Sequence, residues 1–77
     1  MTAVTAPAAA LATERRVTAA LVGELAPRFT GQFTSDEVSG YIGRAVTDLR
    51  GSVSAEALPE MAARLAYHRL TIASRLR

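Results

Sequence analysis

The arrangement of apolar and polar residues along the chain predicts three helices, and the middle one has the clearest pattern. In the segment 34–51, apolar residues recur at steps of three and four, which places them on one face of a helix. They are Val38, Tyr41, Ile42, Ala45, Val46 and Leu49. Thr34 followed by Glu37 has the sequence of a capping box, which predicts a helix start at about Ser35. Gly51 predicts the end of this helix near residue 50.

A first helix is predicted upstream of this segment, because apolar residues there follow one another at steps of four. They are Val17, Leu21 and Leu25. Pro27 has no amide hydrogen to donate and disfavours helical dihedrals at Ala26, so the helix should end at about residue 26. Two starts are compatible with the sequence: about Ala8, directly after a proline, or Thr13 as an N-cap. We take residues 8–26 as the predicted helix.

A third helix is predicted from residue 59 to residue 76, with Pro59 in its first turn. On a helical wheel, most of its apolar residues fall within one broad arc, which we expect to face the core. They are Leu58, Met61, Ala62, Leu65, Ala66, Ile72, Ala73 and Leu76. Tyr67 and Leu70 lie off this arc, so a monomer should leave them partly exposed and available for a second contact surface.

The expected fold is therefore an all-α, three-helix up-down-up bundle over residues 8–77, preceded by a disordered tail at residues 1–7. A chain of 77 residues without cysteine is near the lower size limit for a self-supporting core, so help from a second subunit is expected. The N-terminal segment has neither the charged region of a signal peptide nor the apolar length of a membrane span. We therefore expect a cytoplasmic protein that is not bound to a membrane.

The charge of the chain gives little support to nucleic-acid binding. All nine basic residues are arginines, the net charge is +2, and acidic residues are interspersed among them in the first two helices. This distribution predicts a mixed solvated surface rather than a cationic face for phosphates. The alternative function from a different class is a small DNA-binding or regulatory module that uses the arginines of the third helix. It predicts binding to duplex DNA that depends strongly on salt.

The sequence contains no recognisable catalytic, cofactor or metal motif. It has a single histidine, no cysteine, and no glycine-rich phosphate loop after a predicted strand. His68 is interpreted as a surface residue, and we predict a protein that is not an enzyme and has no cofactor. Arg69 falls near the centre of the apolar arc, so its guanidinium must reach solvent, pair with a carboxylate or face another chain. We expect an ion pair with Asp48, with Glu14 as the alternative acceptor.

Gly40 and Gly43 lie inside the second helix, where each costs about 1 kcal/mol relative to alanine. Either a neighbouring backbone comes close to them, or they are tolerated at an exposed site. With the apolar residues left over from the core, they form the predicted interface of a symmetric homodimer. The candidate interface residues are Val22, Gly40, Gly43, Tyr67, Leu70 and Leu76.

Four parts of the chain carry a resemblance to a known family. They are LAPRF at the end of the first helix, FTSDEV followed by Tyr41 in the second, LPEMAARLA in the third, and the closing pair Arg69 and Leu70. From Arg16 to Leu70 the chain resembles the small three-helix-bundle dimerization domain of actinobacterial proteins. That domain is found N-terminal to low-molecular-weight phosphatase or arsenate-reductase-like domains.

The resemblance implies a homodimer, or a module that brings a phosphatase-like or reductase-like protein together as a partner. The chain departs from the fused arrangement, because it has no cysteine followed by a phosphate loop and an arginine. The catalytic chemistry of the phosphatase is therefore not carried over. Tyr67 and His68 also stand where the family has charged residues, just before the closing arginine and leucine.

Overall fold

A computed structural model describes residues 8–77 of the chain and shows three α-helices, each in contact with the other two. The elements are α1 (Ala8–Leu25), a 3-10 turn (Ala26–Phe29), α2 (Ser35–Leu49) and α3 (Leu58–Arg75). No strand occurs within these residues. The prediction of an all-α, three-helix up-down-up bundle is confirmed. The tail expected at residues 1–7 lies outside the described residues.

The end of α1 follows from Pro27, which stands in the first turn of the 3-10 segment, two residues after the last α-helical residue, Leu25. The 3-10 turn carries the chain on to Phe29, whose carbonyl accepts hydrogen bonds from the amides of Gln32 (3.0 Å) and Phe33 (3.1 Å). Gly31 has a φ of +87°, a conformation that is costly for any residue with a Cβ. These bonds and this glycine reverse the chain between α1 and α2.

The capping box predicted at the start of α2 is present. The Glu37 amide donates to Thr34 Oγ1 (3.1 Å), and the Thr34 amide donates to Glu37 Oε1 (2.8 Å). Each bond satisfies an amide that the helix itself leaves without a partner. At the other end, Arg50 is the C-cap and Gly51 follows with a φ of +83°. The predicted start of α2 at Ser35 is confirmed, and the helix ends at Leu49, one residue before the predicted end.

The linker to α3 winds through a turn before the helix begins. Ser54 Oγ accepts from the Ala57 amide (3.2 Å), and the Ser54 carbonyl accepts from the Leu58 amide (3.0 Å). As a result, α3 starts at Leu58, one residue before the predicted start, with Pro59 in its first turn. It ends at Arg75, one residue before the predicted end.

The core lies between the three helices, and its buried residues within the described part of the chain are all apolar. They are Leu21, Leu25, Phe29, Val38, Ile42, Ala45, Val46, Leu58, Ala62, Ala66 and Leu70. The stripe predicted on α2 forms the middle of this core, with Tyr41 and Leu49 partly buried at its edges. The face predicted for α1 also packs inward, with Val17 partly buried beside the core.

The four aromatic side chains of the protein form one continuous chain at one end of the bundle. Phe29 contacts Phe33 (ring centroids 5.9 Å apart) and Tyr67 (5.6 Å), and Phe33 contacts Tyr41 (5.8 Å). Rings at these separations and angles gain more than the area they bury. The chain of rings joins the 3-10 turn, the loop after it, α2 and α3.

The face that α3 turns to the core differs from the predicted arc. Its buried residues follow one another at steps of four: Leu58, Ala62, Ala66 and Leu70. The expectation that Leu70 is partly exposed is wrong, because its exposed fraction is 0%. The two alanines explain the difference, since small side chains allow neighbouring helices to approach closely. The bulkier Met61 and Ile72 consequently stand outside the core.

Candidate functional site

An apolar stripe runs along the solvent side of α3. It consists of Met61, Leu65, Ile72 and Leu76, and we call it the α3 stripe. Met61 is 39% exposed, Ile72 44% and Leu76 82%, while Leu65 is partly buried against the core. Their spacing of four, seven and four residues keeps them on one side of the helix. One face of α3 packs in the core, and a second apolar face is left to solvent.

Polar residues lie within and along the outer edge of the α3 stripe. His68 is exposed and occupies the gap between the two halves of the stripe. Arg64 Nη2 donates to Glu60 Oε2 (2.7 Å), and both of these side chains are largely exposed. Arg75 stands in the last turn of the helix and is also exposed. An acidic and a basic residue thus pair at the N-terminal end of the stripe, and Arg75 lies at its C-terminal end.

The inner edge of the stripe is closed by an ion pair between α3 and α2. Arg69 Nη1 donates to Asp48 Oδ2 at 2.7 Å, and both side chains are partly exposed. Asp48 is the first of the two acceptors considered for this arginine. Because water screens a pair at this exposure, its contribution to stability is about 0.2–1 kcal/mol. Its main consequence is to fix the guanidinium beside α2.

The other acceptor that was considered, Glu14, binds a different arginine. Its carboxylate accepts from Arg50 Nη2 (2.5 Å) and Arg50 Nε (3.0 Å), a two-pronged arrangement that links α1 to the end of α2. These hydrogen bonds, and then the charge of Glu14, raise the pKa of Arg50 above its ordinary value. Glu14 and Asp48 therefore pair with different arginines, one linking α1 to the end of α2 and the other linking α2 to α3.

Gly40 and Gly43 line a groove on the outer side of α2. The same groove is lined by Tyr41, Arg44, Thr47, Asp48 and Arg69. A Cβ atom added at either glycine would meet nothing within 4 Å. Close approach by another helix of the same chain is thus not the reason for these glycines. Gly40 is exposed and Gly43 is partly exposed, so tolerance at a site open to solvent accounts for them in the monomer.

The remaining residues of the predicted interface do not share one surface. Val22 is partly buried against the core. Tyr67 is 43% exposed, but its ring packs against Phe29 and lies 5.8 Å from the Arg28 guanidinium carbon. On the helix it is about 140° away from Ile72, since five residues separate the two. Leu70 is in the core, and of the six predicted residues only Leu76 belongs to the α3 stripe.

Sequence reasoning missed Met61 and Ile72 as surface residues because it assigned them to the core. One signal was present in the sequence, since α3 carries two apolar rows. One row contains two alanines between leucines, and the other contains larger side chains. A helix at the edge of a small bundle buries only one such row, so two rows on one helix indicate a second contact surface.

The arginines of α3 are largely engaged by other groups of the chain. Arg64 and Arg69 pair with carboxylates. Two residues after the end of α3, Arg77 Nη1 donates to the Gln32 carbonyl (2.6 Å), and its guanidinium carbon lies 4.8 Å from the centre of the Phe33 ring. Positive charge is therefore interleaved with acceptors along this helix, an arrangement unlike the continuous cationic face that tracks a phosphate backbone.

Two further observations concern other kinds of site. Within residues 8–77, no three side chains of histidine, cysteine, aspartate or glutamate are grouped closely enough to hold a metal ion. Over the same residues, none of the helices combines the length and the apolar character needed to cross a bilayer.

Comparisons of the chain with models of protein families, with curated proteins and with solved structures find no match. The assignment of a function therefore depends on the residues of the chain and on their arrangement.

Proposed function

We propose that this chain is a non-enzymatic, cytoplasmic interaction domain that forms a symmetric homodimer through the α3 stripe. The observation that carries the proposal is the apolar row left in solvent by a helix whose other apolar row is buried. Met61, Ile72 and Leu76 are all more than a third exposed, although their side chains are among the most apolar in the chain. Several exposed apolar residues on one side of a helix in a small domain are a candidate protein contact.

The size of the domain supports the same conclusion. Ile72 is 44% exposed in the monomer, so covering the rest of its side chain stabilises the buried state by about 1 kcal/mol. In a two-fold interface each such residue contributes this free energy twice, because both copies bury the same surface. For 77 residues without a disulfide, this gain is a large addition to the stability of the core.

The resemblance to actinobacterial dimerization domains extends the proposal to a class of partner protein. In this extension, the dimer brings together low-molecular-weight phosphatase-like or arsenate-reductase-like proteins, with the catalytic chemistry supplied by those partners. Co-purification of a tagged copy from its native cells, with an untagged copy also expressed, tests it. We expect recovery of the untagged copy. Recovery of a phosphatase-like protein without the untagged copy would contradict the homodimer and indicate a heterologous complex.

Sedimentation velocity across a range of protein concentrations tests the homodimer directly. The wild-type chain should convert from monomer to dimer as its concentration rises into the high micromolar range. Ile72→Asp should abolish the conversion, because it places a charge in the buried seam. A wild-type chain that remains monomeric at every concentration would contradict the proposal.

Leu11→Asp is the matched control, because Leu11 is an apolar residue of α1 with a similar exposure, 37%. An aspartate near the beginning of a helix is also favourable for the helix dipole. This variant should dimerize like the wild type, and far-UV circular dichroism should show unchanged helix content in both variants. If Leu11→Asp abolishes the dimer and Ile72→Asp does not, the interface lies on α1 instead of α3.

A further inference from the structure

We propose, building on the homodimer proposed for the α3 stripe, that His68 makes this dimer sensitive to pH. The two copies associate when the imidazole is neutral and separate when it is protonated. The occupant of the stripe is a second copy of this chain. Two observations support this: the place of His68 among the apolar residues of α3, and the charges around it.

His68 completes a helix-pairing pattern on the outer side of α3. Met61, Leu65, His68 and Ile72 follow one another at steps of four, three and four residues. These are the steps between the a and d positions through which two helices interdigitate. The imidazole therefore takes a position in this row that a large apolar side chain would fill in a purely hydrophobic seam.

Dimerization changes the surroundings of this imidazole. In the monomer it is exposed, so water can solvate both of its protonation states. Met61 lies seven residues before His68 and Leu76 eight residues after it, so His68 is near the middle of the stripe. A residue near the middle stays in the seam whether the two copies of α3 run parallel or antiparallel. Its neighbours there are apolar side chains of both copies, such as Leu65 and Ile72.

The charged groups of α3 near His68 oppose a positive imidazole. Arg64 lies one turn before it and Arg75 two turns after it, on the same side of the helix. Both arginines are exposed. The carboxylate of Glu60, on the same helix, already accepts from Arg64 at 2.7 Å.

A carboxylate of α2 beside this part of α3 is likewise engaged. Asp48 accepts from Arg69 at 2.7 Å, and Arg44 lines the same groove. In a two-fold dimer the second copy brings the same arginines and the same paired carboxylates. Among these groups, a protonated imidazole would lose water without gaining a free acceptor, and this disfavours the charged form in the seam.

The direction of the effect follows from proton linkage. The monomer accepts the proton more readily than the dimer, so association is strongest above the pH range in which histidine gains its proton and weakens as the pH falls through that range. A histidine in water is about nine-tenths protonated at about pH 5.5, where carboxylates remain largely ionised. If both imidazoles must be neutral in the dimer, each costs about tenfold in association and the two together up to about 100-fold.

Sedimentation velocity of the wild-type chain at about pH 8 and about pH 5.5, at equal ionic strength, measures this dependence. The dissociation constant of the dimer should rise by about 10-fold to 100-fold at the lower pH, and far-UV circular dichroism should show unchanged helix content. An equal dissociation constant at the two pH values would overturn the proposal. A chain that is monomeric at both would instead refute the homodimer itself.

Two variants separate His68 from the other titrating groups. His68→Gln keeps a neutral polar side chain, so it should dimerize with the same affinity at both pH values. His68→Leu should dimerize more tightly than the wild type, most clearly at the lower pH, because it adds an apolar residue to the seam. If His68→Gln retains the pH dependence of the wild type, or if His68→Leu associates no more tightly than the wild type at the lower pH, the imidazole does not control the dimer.

Discussion

Replacing Gly40 and Gly43 by alanine should stabilise the monomer. Both residues lie in the interior of α2, where glycine loses more backbone freedom on folding than alanine does. Neither position is occupied by a neighbour, since an added Cβ meets no atom within 4 Å. The substitution therefore changes helix propensity without adding a clash.

The magnitude follows from the propensity difference, which is about 1 kcal/mol for each glycine in a helix interior. Two substitutions give about 2 kcal/mol. For a domain of this size, each kcal/mol shifts the melting temperature by about 4–8 °C, so the double variant should melt about 8–16 °C above the wild type. The control is Gly51→Ala, since Gly51 has a φ of +83° and an alanine there should cost about 1 kcal/mol or more.

Thermal denaturation followed by far-UV circular dichroism measures these shifts, and it should be performed at low and at high protein concentration. A lower melting temperature for the double variant in dilute solution would refute the reasoning, since it would require a neighbouring group that the monomer does not contain. If the double variant has a lower melting temperature than the wild type only at high protein concentration, a partner's backbone must lie in the groove of Gly40 and Gly43. In that case, the dimer does not form through the α3 stripe.

Two further variants test the core and the start of α2 by urea denaturation. Leu70→Ala should lower the free energy of unfolding by about 2–5 kcal/mol, because it empties a fully buried site. Leu76→Ala should change it by less than about 0.5 kcal/mol in the monomer, and equal losses would contradict the buried position of Leu70. Thr34→Ala should cost about 1 kcal/mol through loss of the cap, whereas Thr34→Ser should keep most of that stability. Equal losses for Ala and Ser would show that the hydroxyl does not cap the helix.

The helices were predictable from the sequence because their ends are set by local interactions. The capping box needs only two side chains three residues apart, and both of its hydrogen bonds are present. Pro27 and Gly51 act through their own backbone conformations, so their effect does not depend on distant parts of the chain. The same holds for the apolar row of α2, since this helix touches both of the others.

The orientation of α3 was less predictable, because it depends on how closely two helices approach. Choosing the buried face on a helical wheel by hydrophobicity alone assigns Met61 and Ile72 to the core in preference to two alanines. Packing favours the row in which Ala62 and Ala66 lie between leucines, because it allows close contact between helices. The partner of Arg69 is a similar case. The sequence offered two carboxylates, and the choice was settled in three dimensions, where Glu14 binds Arg50.

The chain of aromatic rings determines which optical signals report on this protein. Because there is no tryptophan, Tyr41 and Tyr67 are the source of intrinsic fluorescence, and the rings of both pack in the same chain. Their emission therefore reports on the end of the bundle near the 3-10 turn, whereas the linker at Gly51 contributes no aromatic signal. Helix ellipticity averages over all three helices. The midpoints of the two signals coincide only if the bundle unfolds as one cooperative unit.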